Sequence, residues 1–204
     1  MKAGCEVAAM GAFGTDRTLL LRPGVLLGPY EYVGRLPWLL RRMERGGRVL
    51  AGGDPNRPIQ PLDVRDLTTF TLDVVDEGTT GAMNATAPIG HATYGELLRA
   101  CQEATGGRAE LSWVSDDWLS RQDVTPWTEI PLWRTVPGAW AVSSARAEAA
   151  GLHARPLAET VADTWAWLQR EELMPHGRQA AIGLTPEKED ALLAAWDRET
   201  AQAN

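Results

Sequence analysis

The sequence predicts an α/β fold whose last third is helical. Over the first two thirds, strand-length apolar runs alternate with segments of helical periodicity, which is typical of strand–helix units. One such run, residues 18–21, stops shortly before Pro23 and Gly24, as a buried strand does where it turns into a loop. The 204 residues are 44% hydrophobic and 23% charged, a globular composition that is long enough to bury a sizeable core.

Local signals place the elements of the first half of the chain. Residues 2–13 carry apolar side chains at helical spacing, and Gly14 follows where a helix C-cap is expected. Residues 18–21 are apolar enough to predict a fully buried strand. Asp63 is expected to cap a helix that ends near Gly78. The other elements predicted here are a helix at 36–45 and short strands at 48–51 and 81–87.

The second half is predicted in the same way. Thr93 and Glu96 have the spacing of a capping box, which predicts a helix that starts there and stops at Gly106. A strand at 109–114 follows. The last elements are all helices: a short one capped by Ser143 or Ser144 and ending at Gly151, one from Pro156 to Leu173, and one at 186–200 capped by Thr185.

A tryptophan-rich segment separates the strands from these helices. Residues 115–142 are expected to be irregular, because prolines interrupt a run of widely spaced tryptophans. Core packing is the first interpretation of aromatic side chains in such a segment. The alternative is a lid in which Trp118, Trp127 and Trp133 shape an apolar substrate site, since long loops in compact domains are often functional.

Charge and cysteine usage exclude several classes of protein. With 20 basic and 27 acidic residues the net charge is −7, which argues against a nucleic-acid partner. No apolar run approaches the ~20 residues of a membrane helix, so no membrane partner is expected. The expected location is the cytoplasm. Cys5 and Cys101 are too few for a disulfide framework, and the three histidines lie far apart, so no metal site is predicted.

Five segments occur in the order of a known family. Lys2 is followed four residues later by Glu6, on a predicted helix. The other segments are residues 21–29 (LRPGVLLGP), 52–67 (GGDPNRPIQPLDVRDL), 81–85 (GAMNA) and 143–152 (SSARAEAAGL). Together they resemble the extended short-chain dehydrogenase/reductases, also called the NAD-dependent epimerase/dehydratase family. The resemblance covers nearly the whole chain.

The resemblance implies NAD or NADP as cofactor and hydride transfer at an alcohol or carbonyl carbon. Lys2 corresponds to the catalytic lysine of the Tyr-x-x-x-Lys motif, which also holds the nicotinamide ribose. A nearby cation favours the phenolate of the tyrosine. Pro23, Gly24 and Val25 would face the nicotinamide. The tyrosine itself would fall three residues before Met1, and the glycine-rich dinucleotide fingerprint does not occur in the sequence.

Candidate substrate contacts follow from the same comparison. Tyr30, Tyr32 and Arg35 lie in the region after Gly28 where the family builds its substrate pocket, although they are equally suited to covering the core. Arg57 is either a solvated loop arginine or a substrate contact, because a guanidinium grips phosphate or carboxylate with two hydrogen bonds. The lid interpretation of the tryptophan-rich segment, and not the resemblance, adds Trp118, Trp127 and Trp133 to the candidate substrate contacts.

The predicted architecture is therefore the remnant of a Rossmann-type parallel sheet joined to a small mixed α/β substrate-binding domain. Residues 1–29 would be the last helix and strand of an incomplete, truncated NAD(P)-binding domain, 30–175 the substrate-binding domain and 176–204 a C-terminal helical extension. The expected function is to bind a small-molecule substrate, with doubtful cofactor binding and no turnover by this chain alone. The alternative is a stand-alone binding or interaction module, in which a homodimer hides the free strand edge.

Overall fold

Parallel strand pairs joined by helices make up the structure, a computed structural model that describes residues 2–203. The strands are β1 (Leu19–Pro23), β2 (Val25–Leu27), β3 (Gly47–Gly52), β4 (Pro58–Ile59), β5 (Pro61–Asp63), β6 (Gly81–Ala85), β7 (Ala92–Thr93), β8 (Ala109–Val114), β9 (Pro126–Trp127) and β10 (Ile130–Pro131). The helices are α1 (Lys2–Phe13), α2 (Arg35–Glu44), α3 (Val64–Asp76), α4 (Tyr94–Ala104), α5 (Asp116–Arg121), α6 (Ala145–Ala149), α7 (Leu157–Leu168) and α8 (Pro186–Ala203). Two short 3₁₀ turns lie at Thr15–Arg17 and Gln179–Ala181.

The strands pair mostly in parallel. Strand β1 pairs with β6, β2 with β5, and β3 with β8 along its whole length. Strands β9 and β10 form a further short parallel pair, and β4 with β7 is antiparallel. Because parallel neighbours need a crossover, a helix lies between the strands of each long pair. The α/β prediction is confirmed, and the last third of the described chain is helical.

Two hydrophobic clusters hold these layers together. The larger one fills the space between β3, β8, α2, α4, α7 and α8, and its most deeply buried members include Leu36, Leu40, Met43, Leu97, Leu98 and Val161. The smaller one packs α3 and α6 against β6 through Phe70, Val74, Met83 and Ala147. Both follow from the apolar faces that the helical periodicity predicts.

Two helix ends agree with the local sequence signals, whereas the serine cap expected for α6 forms no side-chain capping hydrogen bond. The Thr93 hydroxyl accepts a hydrogen bond from the Glu96 backbone at 3.2 Å, and the Glu96 carboxylate accepts one from the Thr93 backbone at 2.7 Å. Gly14 ends α1 with φ of 84° and donates its N–H to the Met10 carbonyl at 2.9 Å. The capping box and the glycine C-cap are both confirmed.

Several predicted boundaries and burials were wrong. Strand 18–21 was expected to be fully buried, but β1 is only half-buried, because it pairs along one edge within the described chain. Segment 115–142 was expected to be irregular, yet it contains α5, β9 and β10. The helix expected to reach Leu173 ends at Leu168, where the Arg170 N–H turns back to the Trp167 carbonyl at 2.9 Å.

Asp63 anchors the start of α3 through its charge. Its buried carboxylate accepts hydrogen bonds from the Arg65 backbone at 2.8 Å and from the Arg65 guanidinium at 2.9 and 2.7 Å. Burial raises the pKa of Asp63, but these hydrogen bonds outweigh it, so the pKa lies below the usual 3.8. A lowered carboxyl pKa stabilises the fold above about pH 4, and this stabilisation is lost as the pH falls through the lowered value.

We therefore expect Asp63→Asn to lower the free energy of unfolding by about 1–2 kcal/mol at pH 7 and to cost progressively less below about pH 4. Urea unfolding of both proteins at pH 7 and pH 3 measures this difference. The matched control is Asp73→Asn, a change at an exposed carboxylate of the same helix. Equal losses for Asp63→Asn at both pH values would contradict the assignment.

Candidate functional site

A cavity of about 750 Å³ opens where β1 and β2 end. Its wall combines the loop that follows β2, the start of α2, the turn at 127–128 and the segment at 178–182. The carboxyl ends of parallel strands are where open α/β sheets bind ligands. Seven of the residues predicted from the sequence line this one cavity: Lys2, Pro23, Gly24, Tyr30, Tyr32, Arg35 and Trp127.

Glu31 organises the loop between β2 and α2. Its carboxylate accepts hydrogen bonds from the Arg35 guanidinium at 2.7 Å, the Arg35 backbone at 3.2 Å and the Leu36 backbone at 2.9 Å. Gly34, which precedes α2, has no side chain to cap the helix, so Glu31 supplies the missing acceptor. The negative charge of Glu31 is thereby matched by Arg35 and by the helix N-terminus.

Two arginines surround the Trp127 indole. The guanidinium carbons of Arg35 and Arg134 lie 5.3 and 3.9 Å from the centroid of the ring. The ring of Trp140 lies 6.1 Å away at 46°. Each cation over an indole face contributes about 0.5–2 kcal/mol, depending on solvent exposure. The indole therefore has a fixed position in the cavity wall.

Tyr30 and Trp127 both have a backbone conformation that L-amino acids rarely adopt. Their φ angles are 67° and 75°, and they are among four non-glycine residues with positive φ in the described part of the chain. Such conformations cost about 1–3 kcal/mol each and cluster at ligand-binding sites. Two of them in one cavity wall support a functional role for the cavity.

Tyr30 is held on its other side by α7 and the residues after it. Its ring lies 5.0 Å from Trp167, and its hydroxyl donates to the Glu171 carboxylate at 3.1 Å. The hydrogen bond to Glu171 and the charge of Glu171 raise the pKa of Tyr30 above its usual 10. Tyr30 is therefore a neutral phenol at physiological pH.

The charges that line the cavity are mostly positive. Lys2, Arg35 and Arg178 contribute cations, and Glu31 contributes a carboxylate that Arg35 already neutralises. The chain as a whole carries −7. An electropositive cavity in an acidic protein attracts anionic ligands.

The predicted nicotinamide platform lies between this cavity and a smaller one. Pro23 and Gly24 line both, whereas Val25 lines only the smaller cavity, of about 270 Å³. A Cβ on Gly24 would lie 2.6 Å from the Thr86 hydroxyl, so the backbone has no room for a side chain there. The sequence supplies no glycine-rich loop of the kind that holds a dinucleotide pyrophosphate.

Arg57 and Trp133 do not line the large cavity. The Arg57 guanidinium pairs with both carboxylate oxygens of Asp116 and donates to the Arg134 carbonyl at 2.6 Å. Trp133 is buried and donates its Nε1 hydrogen to Asp116 at 2.7 Å. Burial raises the pKa of Asp116, but hydrogen bonds from Arg57 and Trp133 bring it below the usual 3.8. This group of side chains holds the Arg134 backbone in place beside the cavity.

Trp118 also lies away from the large cavity. It is buried in the larger hydrophobic cluster, its ring lies 5.3 Å from Trp196 of α8, and its Nε1 hydrogen is donated to Glu199 at 2.6 Å. These contacts correspond to the core-packing interpretation of the tryptophan-rich segment. They place the side chain between α5 and α8.

Sequence reasoning missed several residues of the cavity wall, among them Arg178, Ile182 and Glu31. Arg178 and Ile182 were assigned to a separate C-terminal extension, and they have no periodic pattern that marks them. Glu31 was missed as well, although an acidic residue four positions before Arg35 at a helix start was a usable signal.

Two kinds of site are not found in residues 2–203. No group of three histidine, cysteine, aspartate or glutamate side chains is arranged to hold a metal ion. None of the helices there combines the length and apolar content that a membrane crossing requires.

No family model and no curated protein matches the sequence. Solved structures do match. The structure of RMD from Pseudomonas aeruginosa complexed with NADPH has 20% identity and a TM-score of 0.54, over 83% of this chain and 54% of that one. The complex of UDP-glucose 4-epimerase from Thermus thermophilus with NAD has 19% identity and a TM-score of 0.56, over 82% and 51%. A GDP-L-fucose synthetase from Naegleria fowleri bound to NADP has 13% identity and a TM-score of 0.52, over 72% and 43%.

At these identities the likeness is one of fold. The chain has a mixed α/β fold like that of part of the Rossmann-like NAD(P)-dependent epimerases and reductases, and it spans about half the length of the structures that it matches.

Proposed function

We propose that the chain is the substrate-binding portion of an NAD(P)-dependent epimerase, dehydratase or reductase that acts on an alcohol or carbonyl carbon of a small molecule. The carrying observation is the cavity at the ends of β1 and β2, in a fold similar to enzymes bound to NAD, NADP or NADPH. In this proposal Tyr30, Arg35 and Trp127 contact the substrate. Lys2 lies at the cofactor side with Pro23 and Gly24.

A second observation supports the idea that catalysis needs a further structural unit in addition to the 204 residues of this chain. No residue of α1 is buried in the described chain, and Val7 and Phe13 are 66% and 62% exposed. Strand β1, which lies beside it in sequence, has one edge without a paired strand among residues 2–203. A further α/β unit that adds a strand to this edge and packs on α1 would cover both surfaces.

The test compares NADPH binding by two proteins: the 204-residue chain and the same chain extended by any residues that are encoded in frame upstream of Met1. The upstream codons are expected to encode a glycine-rich fingerprint and a tyrosine three residues before Met1. Only the extended protein is expected to enhance NADPH fluorescence. Lys2→Met in that protein should reduce turnover by about 100-fold or more, because it removes the cation that favours the phenolate.

Two results would contradict this proposal. One is micromolar NADPH binding by the 204-residue chain, and the other is an upstream sequence without the tyrosine or the fingerprint. The alternative function, a stand-alone binding or interaction module, would use the same preformed cavity. Sedimentation distinguishes the two: a single monomeric or dimeric species that unfolds cooperatively supports the module, whereas aggregation supports an incomplete unit.

A further inference from the structure

We propose that Arg178 is the residue that recognises an anionic group, a carboxylate or a phosphate, on the ligand of the large cavity. This inference rests on the proposed function only in taking that cavity as the ligand site. Arg178 belongs to residues 174–183, here called the strap, which close one side of the cavity.

Arg178 has its charge available. Within residues 2–203 no carboxylate lies at ion-pair distance from its guanidinium, and its one side-chain hydrogen bond goes to the Tyr32 hydroxyl at 3.4 Å. The carboxylate that shares the cavity wall, Glu31, is already engaged by Arg35 and two backbone N–H groups. A guanidinium without a carboxylate partner, at the wall of a cavity, is suited to bind an oxyanion with two hydrogen bonds.

The strap holds Arg178 in position through its backbone. The Arg178 N–H donates to His176 Nδ1 at 3.1 Å, and the His176 ring packs edge-on against Tyr32 with centroids 4.8 Å apart. Gln179 donates its side-chain amide to the Tyr32 carbonyl at 2.9 Å. Gly183 closes the strap by donating its N–H to the Thr128 carbonyl at 2.8 Å. Anchors at both cavity edges fix the backbone of the strap from which the Arg178 side chain extends, which reduces the entropic cost of ordering the strap on binding.

Other cations are less suited to this role. Arg57, which the sequence singled out for gripping an anion, is committed to Asp116 and the Arg134 carbonyl. Arg35 is paired with Glu31 and lies against Trp127. Lys2 lines the cavity, but its ammonium is a point charge without the paired donors of a guanidinium.

The other residues of the cavity wall indicate what kind of molecule would carry the anionic group. Tyr30, Trp127 and Ile182 present aromatic and aliphatic surface to the same cavity. The ligand class is therefore a small molecule with a planar or apolar body that carries one anionic group.

The test uses calorimetric titration of the 204-residue chain with three probes that share one body: 2-naphthoate, 2-naphthyl phosphate and 2-naphthamide. At least one anion should bind about 10-fold more tightly than the neutral amide, and added salt should weaken only the anion. Arg178→Gln should remove about 10-fold of the affinity for that anion and leave the amide unchanged. Whether the carboxylate or the phosphate loses more identifies which oxyanion the site prefers.

Arg170→Gln is the matched control, because Arg170 is an exposed arginine that does not line the cavity. It should leave all three affinities unchanged, and an unchanged urea midpoint for Arg178→Gln should show that the variant folds. Equal binding of anions and amide, equal loss of all probes in Arg178→Gln, or no binding of any probe at millimolar concentration would each overturn the proposal. None of these measurements involves NADPH. Their outcome therefore does not depend on whether the proposed enzyme function is correct.

Discussion

Replacing Glu189 by alanine is expected to lower the free energy of unfolding by about 3–5 kcal/mol. Glu189 is 2% exposed in α8, and its carboxylate accepts hydrogen bonds from the Arg42 guanidinium at 2.5 Å and from the Leu50 backbone at 3.1 Å. The alanine variant leaves a buried guanidinium without its counter-charge and a buried N–H without an acceptor. Both defects lie where α8 meets α2 and β3.

Urea unfolding at pH 7 measures the loss of unfolding free energy, and two further variants identify its cause. Glu187→Ala, at an exposed position of the same helix, should change the free energy of unfolding by less than about 0.5 kcal/mol. The double variant Arg42→Met, Glu189→Leu removes both charges and should recover the part of the loss that the unpaired guanidinium causes, because a buried ion pair adds little net stability over apolar side chains. The Leu50 N–H stays without its acceptor in this variant, so the recovery should be incomplete. A double variant no more stable than Glu189→Ala would show that packing, and not the unpaired charge, causes the loss.

Sequence reasoning succeeded where the determining contacts are local. The capping box at Thr93 and Glu96 and the glycine that ends α1 each involve residues within four positions of one another, so their spacing identifies them. Sequence reasoning failed where a contact between residues distant in sequence determines the burial of an element. The burial of β1 depends on how many strands lie beside it, and β6 pairs with it at one edge from about sixty residues away. An apolar run of strand length cannot report the number of its neighbours.

The candidate site shows the same division. The loop from Gly24 to Arg35 was predicted because strand ends and turn residues mark it in the sequence. Arg178 was not predicted, since it reaches the cavity from a segment more than 140 positions along the chain. Arg57 was a candidate for gripping an anion, yet Asp116 engages it from 59 positions away. Which charges are paired is a property of tertiary structure, and it decides which arginine remains available to a ligand.

Trp118→Ala is expected to destabilise the fold by about 3–5 kcal/mol, through the lost burial of an indole and the cavity that it leaves. Trp118 is 1% exposed and joins α5 to α8, where its ring meets Trp196 and its Nε1 hydrogen is donated to Glu199. Urea unfolding measures the global loss. Hydrogen exchange of α8 amides should increase more than that of α4 amides, because the lost contacts lie on α8.

The variant Trp118→Phe separates the contribution of apolar burial from that of the hydrogen bond to Glu199. Phenylalanine retains most of the apolar contact but has no donor for Glu199, so the expected loss falls to about 1–2 kcal/mol. Combining Trp118→Phe with Glu199→Gln should add little further loss, because the first change already breaks the hydrogen bond between the two side chains. If Trp118→Phe were as costly as Trp118→Ala, the hydrogen bond to Glu199 would be the main contribution of this residue. α8 would then be held at this point by a polar contact, as it is at Glu189.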